Sequence, residues 1–153
     1  MNKMTFSPSI RIATLVIGLG AFTAHASAQS EAAAKAAKEP GAVKTASGLV
    51  YLSLKDGTGM QPSSTDTVRV HYRGTLPNGT EFDSSFKRNT PLEFPLNRVI
   101  PCWTEGVQKM KVGGKAKLTC PPEIAYGARG AGSAVPPYAT LHFEVELLGV
   151  QAR

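Results

Sequence analysis

The stretch that decides the fold is PCWTEGVQKMKVG, residues 101–113, in which Trp103, Val107 and Met110 recur at helical intervals. That spacing places the three apolar side chains on one face of a helix. A proline suits the first turn of a helix, and the glycine pair Gly113-Gly114 ends it. The segment therefore predicts one short amphipathic helix, about two or three turns long.

Segments on both sides of this helix follow a different period. Apolar residues occupy every second position in TVRVHYRG (67–74), KAKLTC (115–120) and LHFEVEL (141–147), and less regularly in GLVYLSL (48–54). A period of two is typical of a strand with one buried face, and intervening Gly, Pro and Asn residues indicate turns. We predict an α+β domain in which an antiparallel sheet packs its apolar face on the helix.

The N-terminus has the composition of a secretory signal. Lys3 and Arg11 precede an apolar run that is shorter than the roughly 20 residues of a membrane-spanning helix, and Ala26-Ser27-Ala28 follows it. We expect residues 1–28 to be removed, although cleavage after Ala26 would satisfy the same small-residue preference. The mature protein is then periplasmic or secreted, with no membrane association after signal removal.

The remainder divides into two parts. Residues 29–47 are rich in Ala and Lys and lack the large apolar groups that a packed element needs, so we expect a tail or linker. Residues 48–153 are enough for one domain with one core. Removing the two basic residues of the signal lowers the formal net charge from +6 to +4. The remaining basic residues are scattered, so no nucleic-acid partner is expected.

Residues for conventional catalysis are missing from the sequence. After signal removal the chain has two histidines, His71 and His142, on the polar faces of two different predicted strands, where we expect solvated side chains. Zinc-binding patterns, G-x-S-x-G and phosphate-binding loops do not occur. We therefore expect no cofactor and no metal.

Two cysteines, Cys102 and Cys120, belong to a chain that we expect to be exported. An oxidising compartment favours a disulfide between them. Two small buried thiols would fit the sequence as well, because the sequence does not give their distance.

Five aromatic residues lie near predicted turns, and each taken singly is readily explained as part of a small core. They are Tyr72, Phe82, Trp103, Tyr126 and Phe143.

The segments that hold these aromatics occur together and in one order. They read VHYRGTLPNGTEFDSS (70–85), VIPCWTEGVQKMKVGGKAKL (99–118), PPEIAYG (121–127) and VPPYATLHFEVELL (135–148). From about Gly48 to Val150, the chain resembles the FKBP-type peptidyl-prolyl cis-trans isomerase family. The resemblance implies an antiparallel half-barrel sheet of about five strands wrapped around one short α-helix.

The resemblance also implies a shallow apolar pocket between sheet and helix, with Trp103 as the floor on which a prolyl ring sits. Tyr126 would direct its hydroxyl at a substrate carbonyl, Asp83 would lie at the rim, and the Ile100 N–H would bind the peptide backbone. Six residues take catalytic roles by this resemblance: Tyr72, Phe82, Asp83, Trp103, Tyr126 and Phe143. Four others would contact substrate: Leu92, Val99, Ile100 and Val135.

Some positions differ from the best-known members of the family. Leu92 stands where an aromatic is common, Arg98 where an acidic residue often lies, and Ala131 and Ala134 where bulkier side chains are usual. These differences predict a smoother, more open rim, and they put substrate preference and inhibitor affinity in question.

The resemblance implies an isomerase that accelerates rotation about X-Pro bonds in unfolded or partly folded proline-containing polypeptides, and a pocket that macrolide inhibitors of the family would fill. The alternative is a non-catalytic peptide-binding chaperone that uses the same pocket. Residues 29–45 lack the long helical dimerisation region of larger relatives, so we expect a monomer.

Overall fold

The structure, a computed structural model, describes residues 20–153, with side chains from residue 29 onward. The predicted secretory signal, residues 1–28, lies outside the residues whose side chains are described. Within the described part of the chain, no helix is both long and apolar enough to cross a membrane.

Ten helices and strands make up the described chain, together with short 3-10 turns. They are α1 (Gly20–Ala37), β1 (Val43–Lys44), β2 (Val50–Lys55), β3 (Thr67–Thr75), β4 (Glu81–Ser84), α2 (Ser85–Arg88), β5 (Leu92–Pro95), α3 (Pro101–Val107), β6 (Lys115–Cys120) and β7 (Leu141–Gln151).

The strands form one antiparallel sheet in the order β1-β2-β6-β7-β3-β4, and β5 pairs with the first half of β3. The predicted α+β fold, an antiparallel sheet around one short helix, is confirmed. The sheet has seven strands where about five were expected. Three strands have no counterpart among the four segments with a period of two: β1, which has two residues, and β4 and β5, which have four each. All three are too short to show a clear period of two.

The core lies between the concave face of the sheet and α3. Val70 of β3, Val145 of β7 and Leu118 of β6 have no exposed surface, and Val107 of α3 packs with them. Burying each such side chain stabilises the fold by about 1.5–3 kcal/mol. Gly106 lets helix and sheet approach closely, because a Cβ there would lie 2.8 Å from a Leu118 methyl group.

The helix α3 ends earlier in the chain than the sequence predicts. It ends at Val107, and the N–H of Met110 then bonds the Val107 carbonyl at 3.0 Å, which tightens the chain into a turn. Met110 still enters the core, with 3% of its surface exposed. The helical spacing therefore identified the buried face correctly. The seven residues of α3 make about two turns, which agrees with the expected length, but the helix does not continue to Gly113.

Residues 29–47, expected to be a tail or linker, make specific contacts with the sheet and with Thr140, which directly precedes β7. The Thr140 N–H donates to Gln29 Oε1 at 2.5 Å, and the Thr140 hydroxyl donates to the Gln29 carbonyl at 3.0 Å. Lys117 and Glu39 form an ion pair at 2.7 Å. Ala36, near the end of α1, is buried.

The two histidines are half-buried, which corrects the prediction that they are solvated. His142 Nδ1 lies 2.9 Å from the Thr119 hydroxyl. His71 Nδ1 lies 2.9 Å from the Ser85 hydroxyl, and its ring stacks on Phe86 with centroids 4.8 Å apart. Alternation identified the outer face of the sheet but gave no sign that other elements partly cover it.

Candidate active site

A cavity of about 520 Å³ opens between the concave face of the sheet and the start of α3. This volume lies in the range of small-molecule and peptide side-chain sites. Its lining is mainly aromatic and aliphatic, with one acidic and one basic side chain. The lining residues are Tyr72, Phe82, Asp83, Phe94, Arg98, Val99, Ile100, Trp103, Tyr126 and Phe143.

Trp103 holds the centre of this lining. Three rings meet its indole edge-on, Tyr72 at 5.2 Å, Phe143 at 5.4 Å and Phe94 at 5.8 Å between centroids, with interplanar angles of 84–88°. Edge-to-face contacts of this kind fix ring orientation. The indole Nε1 is buried and has no hydrogen-bond partner among the described residues.

Local sequence explains how the neighbouring rings are placed. Pro101 opens α3 and brings Trp103 into its first turn. Gly74 on β3 makes room for the Phe82 ring, since a Cβ at that position would lie 2.4 Å from Phe82 Cζ. The Ser84 hydroxyl accepts from the Lys87 N–H at 3.2 Å, which caps α2 directly after the cavity residue Asp83.

A polar network fixes Asp83 at one side of the cavity. The Tyr72 hydroxyl donates to Asp83 Oδ2. Arg88 Nη1 donates to Asp83 Oδ1 at 2.5 Å, and Arg88 Nη2 lies 3.4 Å from the Tyr72 oxygen. The carboxylate is therefore held from two sides.

This network shifts the pKa values of Tyr72 and Asp83 in opposite directions. Burial and the hydrogen bond to Asp83 raise the pKa of Tyr72 to about 12. Burial alone would raise the pKa of Asp83, but hydrogen bonds from Arg88 and Tyr72 outweigh it and hold that pKa below its usual value. At neutral pH the phenol stays protonated and the carboxylate stays ionised, so the pair is suited to positioning rather than to proton transfer.

Two donors remain available at the opening. Tyr126 is 40% exposed, and its hydroxyl has no partner among the described residues. Ile100 immediately precedes α3, and its carbonyl accepts from the Trp103 N–H at 2.9 Å. Its own N–H has no hydrogen bond to any residue in the described part of the chain.

Eight of the ten residues that the sequence analysis assigned to the site line the cavity. Leu92 and Val135 do not. Leu92 packs on the core from β5, opposite Val70, and Val135 is 3% exposed, with its N–H and carbonyl both bonded to Ala131. Neither side chain is part of the cavity lining.

The sequence analysis missed Phe94, and it placed Arg98 at the rim as a difference from the family without giving it a role in the site. A signal for Phe94 existed, because it follows Leu92 by two residues and so shares its face of a strand. For Arg98 the signal was its place next to Val99 and Ile100.

The structure joins Cys102 to Cys120, with Cα atoms 5.8 Å apart. The bond links the first turn of α3 to the end of β6, and both cysteines are fully buried. Since Trp103 follows Cys102 directly, the crosslink braces the floor of the cavity.

The fold and the cavity place the chain in a class of small α+β proteins that have a half-open antiparallel sheet and an aromatic cavity suited to an apolar ring. The sequence profile of the FKBP-type peptidyl-prolyl cis-trans isomerase matches residues 58–148. The chain therefore belongs to the FKBP-type peptidyl-prolyl cis-trans isomerase family, which confirms the resemblance.

Individual relatives agree with this assignment. The chain is 56% identical over 115 residues to the FKBP-type peptidyl-prolyl cis-trans isomerase FkpA of Aeromonas hydrophila, covering 75% of this chain and 42% of that protein. It is 54% identical over 114 residues to the FKBP-type 22 kDa peptidyl-prolyl cis-trans isomerase of Escherichia coli, covering 74% and 55% respectively. The chain thus spans about half the length of these curated relatives.

A solved structure matches over its whole length. The peptidyl-prolyl cis-trans isomerase from Pseudomonas syringae pv. tomato superposes with a TM-score of 0.79 at 38% identity, covering 88% of this chain and 100% of that one.

Proposed function

We propose that this protein is a peptidyl-prolyl cis-trans isomerase that accelerates X-Pro rotation in unfolded or partly folded exported polypeptides. The observation that carries the proposal is the cavity of about 520 Å³ that is centred on Trp103 and walled by perpendicular aromatic rings. Family membership supports it, and so do the isomerase names of the relatives.

Such a cavity suits the reaction because no covalent bond is made or broken. Resonance in the planar amide sets a rotation barrier of about 18–20 kcal/mol, and uncatalysed X-Pro exchange takes tens to hundreds of seconds. The half-rotated amide has lost that resonance and is less dipolar than either planar form. A dry aromatic cavity destabilises the planar forms relative to the twisted one, and each 1.4 kcal/mol of such preference is tenfold in rate.

We propose the roles that the family resemblance implies and that this geometry permits. The prolyl ring would sit on the indole of Trp103. The Tyr126 hydroxyl and the Ile100 N–H, both without partners among the described residues, would hold carbonyls on either side of the rotating bond. Asp83, fixed by Arg88, would face the twisting amide from the rim.

The cellular setting belongs to the same proposal. A secretory signal at residues 1–28 would place the mature protein in the periplasm or outside the cell, as a monomer, and family macrolides would compete for the cavity. Mass spectrometry of the exported protein, size-exclusion chromatography and inhibitor titration test these three points separately.

A proline-limited refolding assay tests the activity. Catalytic amounts of the mature protein should accelerate the slow phase of a client whose folding waits on X-Pro isomerisation. Unchanged slow-phase rates would contradict the proposal.

A matched pair of variants tests the site. Phe82→Leu trims a ring that lines the cavity and should lower kcat/KM, whereas Phe86→Leu trims an exposed ring that does not line it and should leave kcat/KM close to wild type. Equal losses in both variants would argue against this cavity as the site.

A non-catalytic chaperone is the second candidate, and one observation favours it. Tyr126, at the cavity, and Tyr138, later in the same loop region, expose 40% and 59% of their surfaces, which offers aromatic area to an unfolded chain. Suppression of aggregation of a proline-free client, without acceleration of the slow phase in the refolding assay, would select this candidate.

A further inference from the structure

Arg98 occupies a defined position at the cavity opening. It ends the 3-10 turn Leu96–Arg98, just before the cavity residues Val99 and Ile100. The turn is anchored at Leu96, whose N–H bonds the Asp66 carbonyl at 2.9 Å and whose carbonyl accepts from the Thr104 hydroxyl at 2.7 Å. The backbone that carries Arg98 is therefore fixed, while the side chain is exposed.

The guanidinium of Arg98 is unmatched. Its side chain has no hydrogen bond or ion pair with any described residue, and the other charged lining residue, Asp83, is already held by Arg88 at 2.5 Å and by Tyr72. Arg88, which does not line the cavity, thus neutralises the charge of Asp83, and no acidic lining residue is left to neutralise Arg98. The cavity opening carries an excess of one positive charge.

We propose that Arg98 makes the protein favour prolines flanked by an acidic residue, with the carboxylate of a Glu or Asp one or two positions from the proline. The proposal rests on the proposed isomerase function. A guanidinium presents forked donors that fit a carboxylate, and the apolar lining next to it strengthens the attraction relative to open water. An extended peptide advances about 3.3 Å per residue, so a side chain one or two residues from a proline on Trp103 passes within reach of an arginine.

The test compares isosteric peptides. Acetyl-capped, amide-ended tetrapeptides carry Glu or Gln immediately before proline in one pair and immediately after proline in another. Exchange NMR at low ionic strength gives kcat/KM for each peptide without a coupled protease. We expect the wild-type protein to prefer the Glu peptide of at least one pair by about two- to fivefold, the range of a single partly exposed ion pair, and added salt should reduce the preference.

Measurements on variants test whether the preference for Glu peptides depends on the Arg98 side chain. Arg98→Gln should bring the Glu-to-Gln ratio close to one, and Arg98→Glu should invert it. Arg69→Gln is the matched control. It removes the same charge from the exposed face of β3, and Arg69 does not line the cavity. The Glu-to-Gln ratio of kcat/KM in Arg69→Gln should equal that of the wild type. A ratio that survives Arg98→Gln, or that falls equally in Arg69→Gln, overturns the proposal.

The same peptides separate this inference from the isomerase proposal. If the wild-type protein accelerates neither Gln peptide, the isomerase function fails. Chemical-shift titration then still measures the Kd of each Glu and Gln peptide for the wild type and Arg98→Gln. Tighter binding of a Glu peptide that depends on Arg98 supports charge recognition, and equal binding overturns it.

Discussion

The rings of Trp103 and Phe143 stand at 88° to each other with centroids 5.4 Å apart, so that one residue of the helix and one of the central strands fix each other's orientation at the cavity. Tyr72 and Phe94 repeat this edge-on contact with the indole. The cavity surface is therefore held by aromatic packing, and polar contacts fix only its rim.

Trp103→Phe should separate stability from activity. The buried indole N–H has no partner among the described residues, so its removal relieves an unsatisfied donor, while the smaller ring leaves a small void. These effects oppose each other, and we expect the free energy of unfolding to change by less than about 1 kcal/mol. The value of kcat/KM should fall clearly. A loss above about 3 kcal/mol in urea unfolding would contradict this balance of effects.

Arg88→Gln should raise the pKa of Asp83, because only the hydrogen bonds from the Tyr72 hydroxyl and the Ser84 backbone would then oppose the effect of burial. The carboxyl carbon shift of Asp83, followed by NMR through acid titration, measures this. A carboxylate whose pKa is lower in the folded than in the unfolded protein stabilises the fold at pH values above the usual Asp pKa. This contribution is lost as the pH falls through the pKa of the folded state. The difference in unfolding free energy between the wild type and Arg88→Gln should therefore become smaller in acid. Arg73→Gln, which breaks the Arg73–Glu81 ion pair at 2.7 Å, is the control and should leave the pKa of Asp83 unchanged.

The Cys102→Ala/Cys120→Ala double variant should lose about 3 kcal/mol of unfolding free energy, as expected for a crosslink closing a loop of this size. Protein purified without reductant should show no reactive thiols after denaturation, and reductant should destabilise the wild type but not the double variant. Two reactive thiols in the unreduced wild type would contradict the bond.

Acid should weaken the fold through His142. Burial, and then the nearby charge of Lys117, lower the pKa of its imidazole, although Glu39 opposes this. Just below the usual His pKa of 6.5, His142 is therefore protonated in the unfolded chain and still neutral in the folded chain. The contribution of His142 to stability is fully present above that pH and decreases as the pH falls below it. His142→Gln should reduce the difference in unfolding free energy between pH 7.5 and pH 5, values chosen on either side of about 6.5. Identical pH dependence in both proteins would contradict the assignment.

The sequence by itself determined the elements with a clear local period. Spacing identified the buried face of α3, and alternation identified the inner faces of β3, β6 and β7. The order of the motifs then determined the family. These features follow from neighbouring residues, because a helix or strand repeats its side-chain direction every few residues whatever it packs against.

The tertiary structure alone decided which side chains meet. Phe94 and Leu92 both pack on the core from β5, but Phe94 also lines the cavity, where its ring meets Trp103, and Leu92 does not. Arg88 neutralises Asp83 and leaves Arg98 unmatched, and α1 contacts a sheet that the alanine-rich sequence gave no reason to expect it to touch. A local period gives the direction of a side chain but not what lies opposite, because that depends on elements far apart in the chain and on the space they leave between them.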